Sequence, residues 1–147
     1  MGKTLVDSIS YTPLRKIPNP LGDVWHGIKS SDKEFNAFGE AYFSFVKKGK
    51  IKGWKKHRST TLNLIVPLGE IHFFAHDSNI ANFDKTKLKK FILGEENYCR
   101  LTIPPGIWLA FMGIKNTNML LNIADYPHDP DEASNTPLDT FNFNNND

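Results

Sequence analysis

The middle of the chain has the rhythm that most limits its fold. From Ala41 to Ala124, short runs rich in β-branched, leucine and aromatic residues alternate with turns built on glycine and proline. Ala41–Val46, Ile51–His57, Thr60–Val66, Ile71–His76, Phe91–Leu93, Tyr98–Ile103, Ile107–Met112 and Asn118–Ala124 read as strands. Lys47-Lys48-Gly49-Lys50 reads as a hairpin turn, Pro67-Leu68-Gly69-Glu70 as a tight turn, and Asp84–Lys90 as one helical turn within a polar stretch. Evenly spaced short strands with no long amphipathic helix predict an all-β protein, an antiparallel jelly-roll barrel laid out as a meander. On this reading residues 41–128 form the barrel. Residues 1–40 are broken repeatedly by proline and glycine and form an irregular arm anchored by Trp25, Phe35 and Phe38. Residues 129–147 have little beyond Leu138, Phe141 and Phe143 to bury and form a tail that lies on a neighbouring surface or frays.

Composition narrows the class. At 147 residues and 39% hydrophobic content the chain is one domain by size, with enough apolar matter for a real core. The formal net charge is only +2, which speaks against a nucleic-acid-coating protein and for a small anionic ligand. Cys99 has no partner for a disulfide, and Met-Gly-Lys-Thr-Leu-Val lacks the basic-then-apolar run of a signal peptide, so a cytoplasmic location is expected. Every apolar stretch falls well short of the ~20 residues of a membrane span. A strand edge left open and an arm with few apolar contacts of its own predict a homodimer in which arm and tail pack on the partner.

The densest chemistry lies in Gly49-Lys50-Ile51-Lys52-Gly53-Trp54-Lys55-Lys56-His57-Arg58. Period-2 alternation puts Lys52, Trp54 and Lys56 on one face and Gly53, Lys55 and His57 on the other. A glycine inside a strand often marks a close approach of backbone or ligand, and a histidine follows it four residues on. If the preceding strand pairs with this one as a hairpin, Tyr42 sits close to His57. His72 and His76 lie four apart on a strand, about 13 Å end to end, too far to chelate together.

Lys52-Gly53-Trp54-Lys55-Lys56-His57, Leu64-Ile65-Val66 with Gly69, Ile103-Pro104-Pro105-Gly106-Ile107-Trp108 and Asn122-Ile123-Ala124-Asp125-Tyr126 together resemble the metal-free cupins acting on dTDP-4-keto-6-deoxyhexoses. Two branches are similar over roughly residues 40–130: the dTDP-4-dehydrorhamnose 3,5-epimerases and the dTDP-sugar 3,4-ketoisomerases. Their segment is typically Arg-Gly-Leu-His in the first branch and Arg-Gly-x-His-x-His in the second. Laid on this chain, Lys52 takes the place of the arginine, Lys55 that of the first histidine and His57 that of the second. A metal cupin would in addition carry a histidine where Leu109 stands, so the ligand set is incomplete and neither metal nor cofactor is implied. The first histidine is the principal base of the epimerases; its replacement by Lys55 leaves His57 for a ketoisomerase.

The resemblance implies a dTDP-linked 4-keto-6-deoxyhexose as substrate and surface polysaccharide biosynthesis as the setting. The outcome is a 3,4-ketoisomerisation or, alternatively, a 3,5-epimerisation; a non-catalytic sugar-nucleotide-binding cupin is the second alternative. Either reaction removes a proton alpha to a carbonyl and stabilises an enediolate, which takes a base and a nearby donor. Histidine is the side chain whose ordinary pKa lies closest to neutrality, which makes His57 the base. Tyr42 or Tyr126 is the donor. Lys55 stabilises the enediolate or holds phosphate, Lys52 and Arg58 meet the pyrophosphate, Trp54 or Phe43 stacks on thymine, and Asp77 stands near the place of a family aspartate.

Overall fold

The computed structural model describes residues 4–141, so Phe143 and the Met-Gly-Lys start lie outside the described residues. In chain order the strands are β1 (Ser10–Pro13), β2 (Lys16–Ile17), β3 (Val24–Trp25), β4 (Glu40–Phe45), β5 (Ile51–His57) and β6 (Leu62–Leu68). They continue as β7 (Glu70–His76), β8 (Lys89–Gly94), β9 (Cys99–Ile103), β10 (Trp108–Gly113), β11 (Met119–Ala124) and β12 (Ala133–Asn135). Four 3-10 turns, Leu5–Ser8, Ile80–Asn82, Lys85–Lys87 and Leu138–Thr140, are the helical content of the described residues. None of them is long and apolar enough to cross a membrane.

Two five-stranded antiparallel sheets face each other, one ordered β1-β9-β6-β11-β4 and the other β12-β5-β10-β7-β8. This is a jelly roll rather than a meander, because most neighbours in each sheet are distant in sequence. The first expected hairpin is absent. β4 pairs with β11, and β5 pairs with β10 and β12, so Tyr42 and His57 face each other from opposite sheets instead of lying side by side. The next turn is tighter than expected: β6 runs through Pro67 and Leu68, and Gly69 alone separates it from β7.

Alternation explains how β7 serves two cores. Ile71, Phe73 and Ala75 point between the sheets and meet Leu64, Val66, Leu93, Leu101 and Leu120. Phe74 points outward into a second cluster with Trp54, Trp108, Ala110 and Phe141, and His76 packs its ring there too. Phe141 is what the tail buries. Its complete burial stabilises the docked tail by about 1.5–3 kcal/mol, and β12 adds ladder bonds to β5 just before it. The tail thus straps across its own sheet, as far as it is described. The arm does likewise: β1 pairs with β9, and buried Arg100 on β9 donates to Gly27 O at 2.7 Å, Glu34 at 2.9 Å and Asp32 at 3.3 Å.

Candidate active site

A cavity of about 250 Å³ opens between the two sheets at the end where β5 stops. Its floor is apolar, formed by Leu62, Leu64, Ile103, Ile107, Leu109 and Leu120. β5 supplies one wall with Lys52, Gly53, Lys55 and His57, and β4 with β11 supplies the other with Tyr42, Ser44 and Asn122. A shallower cleft continues outward past Tyr42, Lys55 and His57 to Glu40, Tyr126, His128, Asp129 and Glu132.

Strict alternation cannot put Lys52, Lys55 and His57 on one side, and β5 does not alternate strictly. Leu109 on β10 faces Lys55 while Phe111 faces Lys52, so β5 carries one residue more than its partner between those points. This bulge turns Lys52 into the cavity, on the side of Lys55 and His57. Gly53 sits at φ +146, and a Cβ there would lie 2.6 Å from that of Ala110, so only glycine lets the two strands approach this closely. Lys52 Nζ reaches across the cavity to Ser44 Oγ at 3.4 Å.

Trp54 alternates with Lys55 and His57 and so faces the outer side of β5. It is 0% exposed, and its indole N–H donates to Leu138 O at 3.3 Å from the strap. Buried on the outer side of β5, it has no face to offer thymine. Phe43 points away from the cavity as well, on the side of β4 opposite Tyr42. Arg58 and Asp77 also leave the expected site. Arg58 binds the backbone oxygens of Asp131 and Glu132, and Asp77 accepts the Val6 amide at 2.8 Å to pin the 3-10 turn at the start of the arm. Tyr126 remains at the outer cleft, positioned by Gly39, where a Cβ would collide with the Tyr126 backbone at 2.2 Å.

Glu132, which the sequence reading assigned to a featureless tail, is bound to His57. Its Oε1 accepts from His57 Nδ1 at 2.6 Å, and its Oε2 accepts from the amides of Ser59 at 2.8 Å and Thr60 at 3.0 Å. Burial pushes this carboxyl up, but the bond from His57 and the two amides outweigh it and hold the pKa at about 2. A carboxylate only accepts, so Nδ1 carries the hydrogen and Nε2 keeps the lone pair a base needs. Opposite, the Tyr42 hydroxyl accepts from Asn122 Nδ2 at 3.1 Å, which leaves its own hydrogen to donate. Desolvation raises the Tyr42 pKa and keeps that hydrogen in place at neutral pH. The arrangement can move a proton: a base oriented by a carboxylate on one wall, a neutral donor on the other, and two lysines beside them.

No protein-family model and no curated protein matches the chain, but solved structures do. A dTDP sugar isomerase from Desulfovibrio desulfuricans G20 is 32% identical, covering 94% of this chain and 90% of that one with a TM-score of 0.85. This chain belongs to the dTDP-sugar isomerase and epimerase family of cupins. It is therefore an enzyme of the isomerase and epimerase class. The dTDP-4-dehydrorhamnose 3,5-epimerase of Sulfolobus tokodaii shares the fold at 21% identity and a TM-score of 0.78, covering 92% of this chain and 80% of that one. A 3,4-ketoisomerase from Thermoanaerobacterium thermosaccharolyticum, in complex with TDP-4-keto-6-deoxyglucose, shares it at 17% identity and a TM-score of 0.72, covering 86% of each chain.

Proposed function

We propose that the protein is a dTDP-4-keto-6-deoxyglucose 3,4-ketoisomerase of surface polysaccharide biosynthesis, working as a cytoplasmic homodimer. The observation that carries this reading is the oriented His57–Glu132 pair facing the Tyr42 hydroxyl across one cavity. His57 Nε2 removes the hydrogen on C3, the released electron pair forms the C3–C4 double bond, and Tyr42 gives its proton to the former carbonyl oxygen. The Tyr42 phenolate then takes the proton of the 3-hydroxyl, His57 delivers a solvent-exchanged proton to C4, and the carbonyl stands at C3. Lys55 steadies the enediolate or, with Lys52, meets the pyrophosphate, and the apolar floor keeps water from the intermediate. Tyr126 at the outer cleft is the second candidate donor. Support for the dimer comes from β4, a sheet edge that leaves Phe43 62% and Phe45 54% exposed.

Incubation with dTDP-4-keto-6-deoxyglucose in deuterium oxide, read by NMR, tests the reaction. A 3-keto product with deuterium on C4 is expected. Deuterium on C5 would mean a 3,5-epimerase instead, and unlabelled sugar with saturable dTDP binding would mean a non-catalytic binding protein.

A further inference from the structure

Asn122 stands directly across from Tyr42 in the β4–β11 ladder, and the two side chains share the cavity face. Only 7% exposed, it spends its Nδ2 on the Tyr42 hydroxyl at 3.1 Å. Its Oδ1 is buried and has no hydrogen-bond partner among the described residues. A buried amide oxygen left unpaired is costly, and natural interiors rarely tolerate one away from a site that something else completes. The residue itself lines the cavity. Two polar groups of the walls are already occupied: Lys52 reaches Ser44, and His57 holds Glu132. The floor on the remaining side is apolar and offers the oxygen nothing.

We propose that Asn122 determines specificity by accepting the hydroxyl on the ring carbon next to the sugar carbonyl, so that its unpaired Oδ1 is completed by substrate. This rests on the reading of the site as a 4-ketosugar isomerase, in which Tyr42 meets the carbonyl oxygen. Because Asn122 is bound to Tyr42, a ring placed against the tyrosine brings the neighbouring C3 hydroxyl to the amide. One residue then serves two ends: its nitrogen points the tyrosine's hydrogen at the carbonyl, and its oxygen reads the hydroxyl beside it. A ligand lacking that hydroxyl would bury the amide oxygen permanently unpaired, and sites built around a substrate hydroxyl discriminate strongly on that account.

Calorimetric binding of dTDP-6-deoxyglucose and of its 3-deoxy counterpart, with dTDP as control, tests this in the full chain. The wild type is expected to favour the 3-hydroxy ligand by about 10–100-fold. Asn122→Ala is expected to reduce that preference to within a few-fold while dTDP affinity stays unchanged. Should the alanine variant fail to fold, the similarly sized Asn122→Leu carries the same comparison. Tyr42→Phe is expected to lower kcat yet keep the preference, because the acceptor remains. A wild type that turns over its ketosugar but does not discriminate, or a preference that survives Asn122→Ala and Asn122→Leu, would overturn the role of Asn122 without touching the ketoisomerase reading. Absence of both turnover and dTDP-sugar binding would instead remove the ketoisomerase reading and this inference with it.

Discussion

Two histidines of one sheet show how far environment decides what an imidazole does. His57 ends β5 on the cavity side, its side chain 22% exposed and tied to Glu132 at 2.6 Å. His76 ends β7 on the outer side, fully buried, with ring centroids of Phe141, Phe83 and Trp54 at 4.2, 4.7 and 5.1 Å. His57 has a carboxylate to balance a positive charge, so it can take a proton and survive. His76 has none in hydrogen-bond contact. Its Nδ1 accepts the Ser78 amide at 3.2 Å, and its Nε2 finds no partner among the described residues. Desolvation lowers its pKa to about 4, with Asp77 opposing and Lys56 assisting. One imidazole faces the cavity with a carboxylate behind it, the other fills space as a neutral ring, and the strap from Glu132 to Phe141 touches both.

Removing each imidazole separates these roles. His57→Asn is expected to lower kcat by about 10²–10⁴-fold, the usual contribution of a general base, with dTDP affinity nearly unchanged. Turnover close to wild type in that variant would move the base to another residue, Lys55 first. The loss for His76 is one of stability, and it depends on pH. Its folded pKa of about 4 lies below the unfolded value near 6.5, so the unfolded chain binds more protons between those values. Stability is therefore complete above about 6.5 and lost as pH falls toward about 4, by about 3 kcal/mol in all. Urea unfolding at stepped pH should show that loss in the wild type and not in His76→Leu. An equal loss in both would place the sensitive group elsewhere.

The contribution of Glu132 is lost in the same direction as that of His76, as pH falls, but at still lower pH. Its carboxyl is held at about 2 against an ordinary 4.5, so its contribution is present above 4.5 and lost between 4.5 and about 2. Acid should thus loosen the outer cluster before it breaks the His57–Glu132 pair. At neutral pH, Glu132→Gln keeps the size and an acceptor for the Ser59 and Thr60 amides but removes the charge facing His57. A kcat reduced by about 10–100-fold with KM unchanged is expected, a part of what the base itself supplies. A rise in KM alone would show that Glu132 only shapes the cleft.

The same contrast marks what was legible in the sequence. The strands were readable because half-buried β structure writes its period of two locally, and the lone imidazole four residues after Gly53 already marked His57. Strand partners were not readable. In a jelly roll the neighbours of β5 are β10 and β12, far away in sequence, and no local pattern encodes that choice. The bulge in β5 defeated alternation at Lys52, turning it inward to the side of Lys55 and His57. Glu132 was hidden for a different reason: among Asp129, Asp131 and the prolines it resembles any solvated tail residue until Phe141 docks the strap. Asp77 and Arg58 were misplaced because charge beside a catalytic strand serves loop anchoring as readily as ligand binding.

Trp54 offers the smallest effect and the cleanest division between the two sides of β5. Were it a stacking platform, replacing it with phenylalanine would keep an aromatic face and change dTDP affinity only modestly, whereas Trp54→Leu would abolish the stacking. As the structure has it, the ring lies under the strap and is bound through one N–H to Leu138 O. Trp54→Phe then removes that hydrogen bond and some packing against Phe141 and His76, about 1 kcal/mol for the bond alone. Trp54→Leu costs more, because the aromatic contacts go as well. Neither substitution touches the cavity. Unfolding midpoints should fall in the order wild type, Trp54→Phe, Trp54→Leu, while dTDP binding by titration calorimetry stays constant across the three. A dTDP affinity that falls with loss of the ring, at unchanged stability, would bring the outer side of β5 into the binding site and erase the distinction between the two histidines.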